Sequence, residues 1–265
     1  MLTILFSALF AGLVATLVTI AIEKWGGIIG GVLGTVPTTI IPAAVGMYVA
    51  GDDLGIALSI VPLGMLLNGI FLLCWVIFPR KFNTSLLTTT IISLTIWTII
   101  GTLLVKVSGT LLNIIKDWHL GLSGFIILAL LGVIFNWKPR PSPVGNNKVP
   151  IKVLLVRGIA AAIAIGICVW LAGLGLPLLA GLASVFPAIF LTSMVALWIS
   201  QGNDVPIGAA GPMMLGGASV SVYSLIAMWS LPAQGIIMGS ILAWIGSVLL
   251  WSMPAYLWIK SRPQI

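Results

Sequence analysis

Long runs without a single charged residue leave this chain almost no choice of fold. Beyond an opening apolar stretch at 2–22, they cover 25–51, 54–79, 82–105, 120–137, 158–203 and 205–259. About 18 to 20 apolar residues suffice for one membrane-spanning helix. The last two runs, of 46 and 55 residues, therefore each read as a pair of helices, hinged at 174–177 (LGLP) and 230–232 (SLP). Composition agrees: 60% of residues are hydrophobic, only 6% are charged, and the mean hydropathy is +1.23. That is too little charge to cover a soluble domain, so the expected class is an all-α polytopic membrane protein.

Taken in order, nine spans are expected: 2–22, 27–50, 54–78, 85–105, 120–137, 153–172, 177–200, 205–229 and 233–259. Residues 106–119, with Lys116, Asp117, Trp118 and His119, read as an interfacial segment. Residues 138–152, rich in proline, asparagine and lysine, read as a solvated linker. The net charge of +7 does not point to nucleic acid, because the cations sit in loops between spans. With nine spans, one side receives ten of the basic residues and the other receives only Lys106 and Lys116. Basic loops stay cytoplasmic. The N-terminus is therefore expected outside, with the linker and C-terminus cytoplasmic, in the plasma (inner) membrane. No basic stretch precedes the first apolar run, so a cleaved signal peptide is not expected. Cys74 and Cys168 lie inside spans and read as small buried hydrophobes.

A short motif occurs twice inside these spans. Residues 31–37 read GVLGTVP, and residues 181–187 read GLASVFP, 150 positions later. At the same offset Tyr48 meets Trp198 and Pro62 meets Pro212, while Asp52 and Asp53 fall close to Asp204. Rare punctuation residues that keep register across span, turn and span imply an internal repeat. Each copy holds four spans, and a single central span between them inverts the second copy. The expected architecture is two inverted four-helix repeats joined by one central helix, with proline-interrupted spans 2 and 7. The units are 1–106, 107–152 and 153–265.

Interrupted spans at matching positions of inverted halves point to a transporter's binding site. Pro37 and Pro187 both lie about 15 Å into their spans at 1.5 Å per residue. Each is expected to open a second half-helix whose free N–H groups and positive dipole end attract anionic or dipolar groups. The candidate substrate-binding residues are Gly34, Thr35, Pro37, Thr38, Thr39, Asn68, Ser184, Pro187, Thr192, Ser193, Ser219, Ser221 and Tyr223. The competing account of each proline is a simple kink, and of each hydroxyl a bond to its own backbone. Small-residue pairs such as Ala11/Ala15, Ala162/Gly166 and Gly235/Gly239 read as close helix packing. Arg157, near the end of span 6, is expected to snorkel to the interface; the alternative is a counter-charge for an anionic substrate.

The five carboxylates, Glu23, Asp52, Asp53, Asp117 and Asp204, all fall at span ends, which argues against a buried proton relay. Sodium coupling through backbone carbonyls needs no such side chain. No His, Cys, Asp or Glu cluster has metal-ligand spacing, and no nucleophile–base pair is visible, so neither a cofactor nor an enzyme is expected. The leading expectation is a small secondary transporter or facilitator that moves a small organic anion or zwitterion by alternating access. An ion or solute channel and a lipid scramblase or flippase are the alternatives. Expected partners are the solute and the bilayer, with a homodimer compatible and nucleic acid excluded. The charge count makes a direct prediction. A cysteine at Ser142, in a chain lacking Cys74 and Cys168, should react with an impermeant maleimide in inverted vesicles only; labelling from outside would reverse the orientation.

Overall fold

The computed structural model describes residues 1–25, 36–51, 53–137, 151–202 and 204–262. The described residues are all helical, with no strand among them. The helices are α1 (Leu2–Trp25), α2 (Ile40–Ala50), α3 (Leu54–Phe82), α4 (Leu86–Leu111), α5 (Asp117–Phe135), α6 (Ile151–Gly173), α7 (Pro177–Ser184), α8 (Ala188–Gln201), α9 (Asp204–Ser247) and α10 (Met253–Lys260). A π-helical turn, Val248–Ser252, joins the last two. Six stretches are long and apolar enough to cross a membrane, the longest being 54 residues (Ile207–Lys260). The outward faces are lined with large apolar side chains such as Leu103, Ile159 and Leu249, each more than half exposed. This is a helical integral membrane protein.

Helix α3 is the centre of the bundle. Its most apolar window is 72% buried, against 17% for α4 and 28% for α5. It packs on α4, α5, α7 and α9. The contacts are close because small residues let backbones approach, the usual basis of helix association where water supplies no driving force. Gly124 of α5 faces the Leu63 backbone, and Gly181 of α7 sits against the Ala57 carbonyl and Ile60. A second seam joins α1 to α6. A Cβ on Gly12 would lie 2.9 Å from the Gly158 carbonyl and 3.2 Å from the Ala162 Cβ. Ala162 thus packs as expected, and Gly166 comes within van der Waals range of Ala8.

Several boundaries differ from the sequence expectation. Helix α4 runs on to Leu111 and α5 starts at Asp117, so only 112–116 remains of the expected interfacial segment. Lys106 is exposed and does not end the helix, since a long cationic side chain reaches polar surroundings from inside one. The last run bends at Gly235 (φ 75°), while Ser230, Leu231 and Pro232 stay helical. Beyond the bend the chain folds back on itself: Ser230 Oγ donates to the Gly239 carbonyl at 2.8 Å, and Trp251 Nε1 to the Leu215 carbonyl at 2.8 Å. Gly235 is thus a turn residue and not a packing residue, because its positive φ is strained for any residue with a Cβ. The turn at 174–176 falls where expected, with Gly175 at φ 71°. The first half of span 2 lies outside the described residues.

The α3–α7 seam gives a stability test. A methyl group at Gly181 would collide with backbone, which cannot swing away. Gly181→Ala should cost about 1–3 kcal/mol in detergent unfolding. Gly109→Ala, whose nearest neighbour would be a Leu178 methyl at 3.4 Å, should stay within about 0.5 kcal/mol of wild type. Equal stability of the two variants would refute the close seam.

Candidate functional site

The chain leaves the helix between α7 and α8 at Val185, Phe186 and Pro187. Pro187 has no N–H to donate, and its ring disfavours a continuous helix. Helix α8 starts one residue later, with Pro187 as its N-cap residue. Across the break the Ala188 N–H donates to the Phe186 carbonyl at 2.7 Å, a three-residue turn centred on the proline. The first motif makes the same turn: the Thr38 N–H donates to the Val36 carbonyl at 2.9 Å, around Pro37. There the helix resumes at Ile40, three residues later than expected, because Pro37 to Thr39 form the turn and the unwound entry.

Breaking a helix frees carbonyls that lipid cannot satisfy. Asn68 of α3 fills that role at Val185. Its Nδ2 donates to the Val185 carbonyl at 2.8 Å, and its Oδ1 accepts from Trp97 Nε1 of α4 at 2.8 Å. The side chain is 2% exposed. The Trp97 ring in turn stands edge-on to Phe186, with centroids 5.4 Å apart. Gly64, one turn before Asn68, lets the Val185 side chain press against α3. Two helices, α3 and α4, therefore clamp one break, and both ends of the Asn68 amide are engaged within the protein.

Below the break, on α8, lie Thr192 and Ser193. Arg157 reaches them from α6: its Nε donates to Thr192 Oγ1 at 3.2 Å, and its Nη2 to Ser193 Oγ at 2.8 Å. Arg157 is 8% exposed, which overturns the snorkelling expectation. The reason is tertiary. Two hydroxyls on the facing helix offer acceptors inside the bundle, so the guanidinium need not seek the interface. Thr192 Oγ1 can accept from Arg157 because its own proton goes to the Ala188 carbonyl, 2.8 Å away.

The remaining expected residues divide. Ser184 donates to its own helix at the Gly181 carbonyl, 2.7 Å away. Thr38 and Thr39 are half-buried at the entry to α2, and Thr39 makes no side-chain cap. Ser219, Ser221 and Tyr223 are buried on α9. The Ser221 hydroxyl has no hydrogen-bond partner, and the Tyr223 hydroxyl faces Ser240 across the hairpin without closing a hydrogen bond. Neither hydroxyl is tied to a break. Gly34 and Thr35 lie outside the described residues. Sequence reasoning missed Trp97 and Asn136. The Asn136 amide, fully buried at the end of α5, donates to the Gly132 and Gly211 carbonyls at 2.7 and 2.8 Å. A polar side chain in an otherwise apolar span was the available signal for both.

No protein-family model, curated protein or solved structure matches the chain. The site must be read from its own chemistry.

The clamp predicts a pattern of coupled losses. Asn68→Leu leaves a buried carbonyl and an indole N–H unpaired and should cost about 2 kcal/mol in unfolding. Trp97→Phe should cost about half of that and add little to Asn68→Leu in the double variant. Strictly additive costs would show that the two side chains do not act together.

Proposed function

We propose that the protein is a small secondary transporter for a small organic anion or zwitterion, working by alternating access rather than by catalysis. The observation that carries this reading is the buried Arg157, bonded to Thr192 and Ser193 just below the interrupted helix. A cation inside a membrane protein is expensive and is kept where it handles charge. The positive end of α8 opens at Ala188, one helical turn before Thr192, so dipole and guanidinium favour the same sign of ligand. The hydroxyls add donors and acceptors that suit a carboxylate or phosphate-like group. Thr38 and Thr39 of the other break would face the same solute.

The nine-span, inverted-repeat architecture belongs to this proposal. Several contacts support it. The 54-residue stretch folds back into two limbs, and α7 with α8 reads as one interrupted span. The two proline turns match at an offset of 150 residues, Thr38 to Val36 and Ala188 to Phe186. A two-fold axis in the membrane plane brings a residue face to face with its own equivalent. A Cβ on Gly12 would lie 3.2 Å from the Cβ of Ala162, also 150 positions away. Helices α3 and α9, equivalent in the two halves, pack antiparallel, with Gly69 against Met214 and Gly217 against Met65. The cytoplasmic linker and the orientation keep the assignment made from charge.

In proteoliposomes, Arg157→Gln should lower uptake of anionic solutes by about tenfold or more. Arg157→Lys should keep part of the activity, and Pro187→Ala should slow uptake at normal expression. Unchanged uptake in Arg157→Gln would sink the site. Currents far above transporter turnover would indicate a channel instead, and loss of labelled-lipid asymmetry would indicate a scramblase.

A further inference from the structure

Away from the break, a cavity of about 160 Å³ opens between the ends of four helices. Its walls come from the last turn of α2 (Met47, Ala50), the turn at Gly51 and Asp53, the start of α3 (Leu54, Ala57), the end of α6 (Ala172) and Pro177 of α7. We propose that this cavity binds a monovalent cation together with part of its hydration shell.

The argument is one of sign and size. Among the described residues lining the cavity, Asp53 carries the one charge, and its side chain is exposed and caps no helix N–H. Helices α2 and α6 both end here and abut: a Cβ on Gly51 would lie 3.2 Å from the Ala172 carbonyl. Helix C-termini present carbonyl oxygens and the negative end of the dipole. Two N-termini also border the space, and each is weakened. Helix α7, of eight residues, opens on Pro177, which removes one of its free N–H donors. Helix α3 has the Asp117 carboxylate against Gly55 in its first turn. The balance at the cavity is negative.

A divalent ion fits less well. Calcium takes several carboxylates, and no group of three His, Cys, Asp or Glu side chains able to hold a metal occurs among the described residues. The volume exceeds that of a bare ion and has room for several waters, so the site suits a partly hydrated alkali cation or a small ammonium compound. Below the cavity the same face of α3 is sealed against α7, where Gly181 meets Ala57 and Gly64 meets Val185. A cation held at Ala57 therefore sits on the α3–α7 seam that leads to the break. Its role as the co-ion of the transported anion rests on the transport reading above. The binding itself does not.

Equilibrium binding of radioactive sodium to the purified protein tests this, with potassium and methylammonium as competitors to separate an inorganic from an organic cation. Saturable binding is expected, weakened about tenfold or more by Asp53→Asn and by the space-filling Ala50→Leu. Thr102→Val, on the exposed face of α4 and away from the cavity, should bind as wild type does. Absence of saturable sodium or methylammonium binding in wild type, or equal binding in Asp53→Asn, would overturn the proposal. Sodium binding without solute uptake would leave this site standing and remove the transport reading; solute uptake indifferent to sodium, potassium and methylammonium would remove the co-ion role alone.

Discussion

A carbonyl released inside a membrane must find its donor within the protein, and most of this bundle's centre is arranged around one such carbonyl. Val185 cannot bond along its own helix because the chain leaves the helical path between Val185 and Pro187. The donor comes from Asn68 on α3, the most buried helix, and Trp97 on α4 fixes the orientation of that amide. Without Gly64 and Gly181, α3 could not come close enough to α7 for the bond to form. The break, the clamp and the tight seam are thus a single structural unit, and α8 begins where that unit leaves it.

The two halves of the chain resemble one another in their turns and differ in their charge. Arg157 sits on α6 where the first half carries Ser7, 150 residues earlier. Ser7 is also buried and also faces the neighbouring helix, lying beside Gly46 of α2. One buried cation, with a serine at the position 150 residues earlier, gives the two halves of the chain different electrostatics. The Asp53 cavity adds to that difference with the opposite sign.

Much of the frame could be read directly from residue types. Proline in mid-span marked the α7–α8 break to within one residue, because no other residue removes both a donor and a backbone freedom. The GLP stretch marked the turn before α7 for the same reason. One rule succeeded and failed within the same chain. Long cations near span ends were expected at the interface. Lys106 is exposed, whereas Arg157 is buried against hydroxyls on another helix. Local sequence cannot tell them apart, since the difference lies in which helix faces each. The hairpin bend was misplaced because Pro232 looks like the stronger breaker, although only a glycine adopts the positive φ found at Gly235 without strain. The role of Asn68 was hidden for a similar reason: a lone amide in a span announces polarity without naming its partner.

The bond between Asn68 and Val185 joins residues 117 positions apart. A membrane protein is inserted from its N-terminus onwards, so α3 is made before the acceptor at Val185. Only the Met65 sulfur, 3.5 Å away on the same helix, and the Trp97 indole then face the Asn68 amide. The bond to Val185 closes only when both halves are present, so the interrupted helix is also the point at which the later part of the chain completes the earlier one.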